Sequence, residues 1–251
     1  MRKLMRKSGV VAAAAVAIGL LATPPASAET VSGWIGPSTA NSVAYLHQSS
    51  ITTTPYLFAS AAVWTPFGQP IAVNAVGVNA RLFKSGILCS ATDYFYNGYT
   101  TVNYAVSTGD PDCGPGSYNS HGLVRLFNGT GYNTVVTFPT NPVNIGAATR
   151  SAVPDVEVPA GTTADGRTTG TAEGIETESE LPDLVAAFAS NGEQGFVLKT
   201  DLASPELAHS DVEALPTSTL DDGTVVRTTG SRTVPVYADN GVDVIGEFAI
   251  Q

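Results

Sequence analysis

The sequence predicts an all-β fold: a one-disulfide, β-sandwich-like N-terminal domain followed by a smaller, acidic β-rich domain. Three observations carry this expectation. Only 14% of the 251 residues are charged while 43% are hydrophobic, enough apolar material to build real cores. Gly 25 and Pro 16 supply frequent turns, which favours short strands over long helices. Runs of β-branched and aromatic residues are separated by Asn-Gly and similar doublets. The balance of 12 Lys+Arg against 22 Asp+Glu also speaks against nucleic acid as a partner, because neutralising phosphates needs a basic face.

The first 28 residues read as a secretory signal peptide. Arg2, Lys3, Arg6 and Lys7 form a basic start, an uncharged apolar run covers 9–22, and Ala26-Ser27-Ala28 offers the small residues that precede cleavage. As a helix that run would span about 21 Å, short of the roughly 30 Å of a bilayer core. The chain from Glu29 onward is therefore expected to be secreted and extracellular, with no stable membrane insertion. Cleavage leaves 8 basic against 22 acidic residues and retains Cys89 and Cys113. Two cysteines in an exported chain are expected to form a disulfide.

Composition shifts near residue 150. From 29 to 150 there are four acidic and four basic residues, and from 151 to 251 there are 18 acidic and four basic. Aromatics divide the other way, with 16 of 20 before residue 150. Opposed shifts at one place predict an aromatic-rich domain over 29–150 and an acidic domain over 151–251 with a flexible start.

Predicted strands in the first domain cover 59–64, 71–83, 88–96, 99–107, 122–127 and 132–138. Asn97-Gly98 stands between two β-prone runs and predicts a type I′ hairpin pairing Tyr96 with Tyr99. Alternation then places Tyr94, Tyr96 and Tyr99 on one face as a candidate ligand-binding surface. Cys89, Ala91, Phe95, Val102, Tyr104 and Val106 fall on the other face as core, with Asp93 an awkward charge among them. Asn128-Gly129-Thr130-Gly131 predicts a second hairpin between 123–127 and 132–138. In the second domain, Asn191-Gly192 and Asp239-Asn240-Gly241 predict hairpins joining 184–189 to 195–199 and 234–237 to 243–250. A short helix is expected near Ser204-Pro205 or Ser210, with Glu213 as its capping partner. The stretch 162–180, rich in Gly, Thr and Glu, reads as a mobile loop.

Ala80-Arg81-Leu82-Phe83, Leu88-Cys89, the run Cys113-Gly114-Pro115-Gly116-Ser117-Tyr118-Asn119-Ser120-His121-Gly122 and Asn128-Gly129-Thr130-Gly131-Tyr132 resemble uncharacterised small secreted proteins of actinomycetes. The likeness covers roughly residues 80–140 and implies export and a one-disulfide β domain, but no activity. Gly195-Phe196-Val197-Leu198-Lys199-Thr200-Asp201-Leu202 is similar to the closing strand of bacterial SH3-like modules, although the surrounding pieces depart from their order.

Catalytic signatures are missing. There is no Gly-x-Ser-x-Gly elbow, no Gly-rich phosphate loop and no His-Glu-x-x-His zinc pattern. Ser120-His121 with Asp110 or Asp112 is the one local set resembling a hydrolase triad. His47, His121 and His209 are isolated in sequence, so neither a metal nor another cofactor is expected. The acidic residues around Glu173–Asp183 and the Asp-rich turns lack the twelve-residue calcium loop and read as a solvated face. The reading that follows is a secreted, non-catalytic binding or structural protein contacting a glycan or an extracellular protein through aromatic side chains. The alternatives are an extracellular hydrolase with its site at the domain junction, or an extracellular protease inhibitor.

Overall fold

The computed structural model describes residues 29–109, 111, 113–146, 158, 160–173, 175, 178–220 and 223–251. The predicted signal peptide, the candidate triad members Asp110 and Asp112, and most of the stretch around residue 150 lie outside the described residues. The chain is nearly all β and carries the Cys89–Cys113 disulfide, with Cα atoms 6.2 Å apart.

Strands β1 (Thr30–Ser32), β2 (Gly36–Ala40), β3 (Val43–Thr52), β4 (Phe58–Trp64) and β9 (Asn103–Ser107) form the first sheet, in which β9 is an edge. Strands β1 and β2 pair with opposite ends of the same side of β3, so the other edge is broken at Gly33-Trp34-Ile35. A second sheet runs β12 (Tyr132–Val136), β11 (Leu123–Phe127), β5 (Val76–Asn79), β8 (Phe95–Asn97), β19 (Val225–Arg227) and β18 (Thr217–Thr219). These two sheets share one core: Tyr45, Ala61, Val63, Tyr104 and Val106 from the first meet Val76, Val78, Val124, Leu126 and Val226 from the second. That is the expected sandwich arrangement.

The third sheet orders β13 (Val143–Ile145), β10 (Gly116–Ser120), β6 (Arg81–Lys84), β7 (Ile87–Ala91), β21 (Val244–Ile250), β20 (Arg232–Tyr237), β17 (Gln194–Leu198), β16 (Leu184–Phe188), β15 (Thr168–Gly170) and β14 (Gly161–Thr162). Strand β7 also pairs with β16, so β7, β21, β20, β17 and β16 close into a ring. Its interior holds Leu88, Val185, Ala187, Val197, Val234, Val236 and Phe248. Helices α1 (Lys199–Leu202) and α2 (His209–Ala214) follow β17.

The charge boundary near residue 150 is therefore not a boundary in the hydrogen bonding. Strand β7, from the neutral half, is a stave of the ring built by the acidic half, and β8 pairs with β19. Surface charge reports which side chains face water, whereas sheet membership is set by apolar alternation, and the two need not change together.

Three predicted hairpins form. β11 pairs with β12 around the Asn128–Gly131 turn, β16 with β17 around Gly192 at φ +86°, and β20 with β21 around Gly241 at φ +67°. The Asn97-Gly98 hairpin does not form: β8 and β9 belong to different sheets. Asn97 is fully buried and works as an internal bracket. Its Nδ2 donates to the carbonyls of Ala72 (2.7 Å) and Tyr99 (2.9 Å), and its Oδ1 accepts from the Val76 amide at 3.0 Å. Gly98 keeps out of the left-handed region, and a Cβ there would sit 2.8 Å from Val225 Cγ1. The doublet serves close packing against β19 rather than a tight turn.

Two other expectations change in detail. Described residues of the stretch 162–180 include β15, and Ala172 is buried in the ring's core. Helix α2 starts after Ala208, whose amide donates to Asp211 Oδ2 at 3.0 Å, so Asp211 rather than Glu213 supports its first turn. Strands β1 to β3 had no counterpart in the sequence reading.

Candidate functional site

The tyrosine face dissolves in the structure. Tyr94 and Tyr96 are 3% and 1% exposed, and only Tyr99, at 38%, reaches solvent. The predicted register rested on the absent hairpin. In its place Tyr96 packs over Gly77, whose missing side chain makes room for the ring: a Cβ there would lie 2.6 Å from Tyr96 Cε1. The guanidinium of Arg125, itself 3% exposed, lies 3.9 Å above the Tyr94 ring. Its Nη1 donates to Tyr96 Oη (2.9 Å) and to the Pro205 carbonyl (2.9 Å), and its Nη2 to the Ser204 carbonyl (3.0 Å). Burial opposes the Arg125 charge, but Tyr94 and Tyr96 more than offset it and raise the pKa. Burial likewise pushes both tyrosine phenols up, so both stay neutral.

Asp93, the residue that fitted the predicted register badly, is 2% exposed and belongs to the same interior. Its carboxylate accepts from the Tyr94 amide at 2.7 Å and from the hydroxyls of Ser204 and Thr229, with Arg232 Nε at 3.7 Å. Arg125 and Asp93 thus fasten the segments around 204 and 229 to β8 and β11. Tyr94 and Tyr96 are internal structure, and Tyr99 alone does not make the predicted three-tyrosine face.

The histidines offer no catalytic pair among the described residues. His121 is 1% exposed, stacks on Phe83 at 4.4 Å and donates from Nε2 to the Ala172 carbonyl at 2.9 Å. Burial, then the nearby Arg81 charge, lower its pKa to about 3. Ser120 Oγ beside it is buried without a partner, beyond reach of a substrate. His209 Nδ1 lies 3.1 Å from Tyr132 Oη and its Nε2 lies 3.6 Å from Glu213, superficially a relay. The Tyr132 hydroxyl, however, is committed to the Asn74 carbonyl at 2.6 Å, and burial raises its pKa, so it is no nucleophile. His47 is hydrogen-bonded to Ser38 at 3.1 Å and packs on Gly36, and its Nδ1 is buried without a partner among the described residues. No three His, Cys, Asp or Glu side chains gather to hold a metal ion among the described residues.

His121 nevertheless has a measurable consequence. Its folded pKa lies below the unfolded value near 6.5, so the unfolded chain binds the extra proton first as pH falls. Stability should be fully present above pH 6.5 and decline towards pH 3, by roughly 3 kcal/mol at pH 4 relative to pH 7. Urea midpoints at the two pH values should differ less in His121→Gln than in the natural protein; an equal difference would remove His121 as a cause.

The exposed face of the first sheet has a different character. No Asp, Glu, Lys or Arg occurs from Thr30 to Ala80 or from Tyr94 to Gly109, stretches that contain every strand of this sheet. In a chain of net charge -10, this leaves an uncharged face. Register aligns its outward side chains in rows across the strands: Pro37, Leu46, Trp64 and Asn103; then Gln48, Ala62 and Ala105; then Ser50, Ser60 and Ser107; then Thr30, Thr52 and Phe58, of which Thr52 is buried. Ser60 and Ser107 hydroxyls lie 2.6 Å apart, and those of Thr30 and Thr52 3.0 Å apart. Apart from Gln48, whose Nε2 donates to the Gly33 carbonyl at 2.8 Å, the middle rows carry only Ala and Ser. Trp64 stands at one end, half-buried, beside a shallow cleft of about 400 Å³ lined also by Ala62, Gly68, Val102, Asn103 and Ala105. Phe67, 86% exposed, follows on the next loop.

Comparison with family models, with curated proteins and with solved structures finds no match for this chain.

Proposed function

We propose that this chain is a non-catalytic extracellular binding protein whose ligand is a neutral polysaccharide, held on the outer face of the first sheet. The observation that carries the reading is an uncharged sheet face of mostly small side chains ending in Trp64 on an otherwise acidic chain. A neutral sugar polymer offers apolar ring faces and many hydroxyls. An indole supplies a stacking surface for the former, and Asn103, Gln48, Ser50, Ser60 and Ser107 supply donors and acceptors for the latter. From Phe58 to Trp64 the face runs about 20 Å at the usual strand rise, room for a short run of sugar rings. Having no fixed charge, it spends nothing on desolvating ions. The disulfide supports an oxidising location.

The test is retention on a panel of insoluble neutral and anionic polysaccharides. The natural protein should be retained on at least one neutral member, and Trp64→Ala should lose at least about tenfold in affinity, the worth of one aromatic anchor. Trp34→Ala, changed at the broken edge of the sheet, should bind normally. Retention only on anionic polymers, or undiminished retention of Trp64→Ala, would overturn the reading.

A further inference from the structure

We infer that the β9 edge of the first sheet pairs with the same edge of a second copy of this chain, joining two five-stranded sheets into one. The backbone pattern fixes which groups are available. The Thr65 amide donates to the Val102 carbonyl and the Thr108 amide to the Ala59 carbonyl, and Cα partners run from Ser60↔Ser107 to Trp64↔Asn103. Alternation then turns the backbone groups of Tyr104 and Val106 towards β4, and those of Asn103, Ala105 and Ser107 outwards. Thr101 Oγ1 bonds both the amide and the carbonyl of Asn103. The outward amides and carbonyls of Ala105 and Ser107 have no partner among the described residues, and all three residues are exposed.

Open edges are normally guarded by a charge, a proline, a bulge or an interruption. The opposite edge has such guards: it is broken at Gly33-Trp34-Ile35 and carries Pro37. The β9 edge has none, being Asn103-Tyr104-Ala105-Val106-Ser107 in regular pairing with β4. Its sequence is also self-complementary about Ala105. In an antiparallel two-fold pairing Ala105 meets Ala105 of the partner subunit, both presenting outward amide and carbonyl, and Asn103 meets Ser107 of the partner subunit. The smallest side chain falls on the dyad, so nothing bulky crosses the two-fold axis, and Asn against Ser gives a polar cross-strand pair. Because no charge lies on this sheet, two acidic chains can meet here without like charges in contact.

Sedimentation velocity over about 5 to 500 µM tests the inference, since self-association must follow mass action. The natural protein should shift from monomer towards dimer. Ala105→Lys, which sets like charges opposite each other on the dyad, should weaken association at least about tenfold with an unchanged melting temperature. Ala105→Pro should do the same, because the amide it removes points away from β4; if Ala105→Pro fails to fold, Ala105→Lys decides. Trp64→Ala should still dimerise, which separates loss of the polysaccharide anchor from loss of edge pairing, although Asn103, Ala105 and Ser107 belong to both surfaces. A natural protein that stays monomeric throughout, or dimerisation undiminished in Ala105→Lys, would overturn the inference.

Discussion

Replacing Arg125 by Ala should lower stability by about 3–5 kcal/mol, the summed cost of three hydrogen bonds to a charged group and the packing of its stem. The substitution strips hydrogen bonds from the Ser204 and Pro205 carbonyls and from Tyr96, and removes the cation that covers Tyr94. Among these acceptors Tyr96 Oη is buried, and a buried acceptor left unpaired costs about 1–3 kcal/mol, where a typical fold holds only about 5–15 kcal/mol in total. Arg125→Lys should recover only part of the loss, because one ammonium cannot reproduce the guanidinium fork. Since strands from both sides of residue 150 share two sheets, the natural protein should unfold in one transition by tryptophan fluorescence and by far-ultraviolet circular dichroism. A urea midpoint for Arg125→Ala equivalent to less than about 0.5 kcal/mol would contradict this account of the interior.

The disulfide should contribute almost as much. Cys89 and Cys113 are 24 residues apart, and closing a loop of that length stabilises by about 3.5 kcal/mol in the chain-entropy description. Cys89 lies on β7, the strand shared by the ring and the neighbouring β6–β10–β13 part of the sheet, and packs with Ile51, Leu82 and Tyr118. The double variant Cys89→Ser, Cys113→Ser should therefore fold but melt well below the natural protein, and reductant should lower the natural protein's melting temperature towards it. An unchanged melting temperature under reduction would show that the cross-link does not restrain the unfolded chain.

Legibility of the fold followed the locality of its signals. The β11–β12, β16–β17 and β20–β21 hairpins could be read because each turn and both of its flanking runs lie within a few residues. Strand β3 was hidden because two of its inward positions, His47 and Ser49, are polar, so Tyr45, His47, Ser49 and Ile51 do not look like a core face. Ser49 is accommodated there by donating to the Ser120 and Phe138 carbonyls, partners no local pattern announces. Asn97-Gly98 misled for the same reason. Its role is set by Ala72, Val76 and Val225, all distant in sequence.

The candidate site was missed by searching for clustered aromatics. Tyr94 and Tyr96 cluster because they pack inside, whereas the exposed aromatics Trp34, Tyr56, Phe67, Tyr99 and Phe138 are scattered between residues 34 and 138. A better signal stood in the sequence throughout: the uninterrupted absence of charge from Thr30 to Ala80, taken up again from Tyr94 to Gly109. Surfaces that face only water are rarely so free of charge, and depletion of charged residues marks the core of a contact surface.

The chain has two tryptophans, Trp34 and Trp64, so a Trp34→Phe variant reports on Trp64 alone. Its emission, titrated with a soluble oligosaccharide of whichever neutral polymer retains the protein, tests the proposed face directly. A sugar ring stacked on the half-buried indole should change the intensity and shift the maximum in a saturable way, at the same midpoint as binding measured by calorimetry. Binding that saturates while the Trp64 emission stays unchanged would place the ligand elsewhere and contradict the assignment of this face.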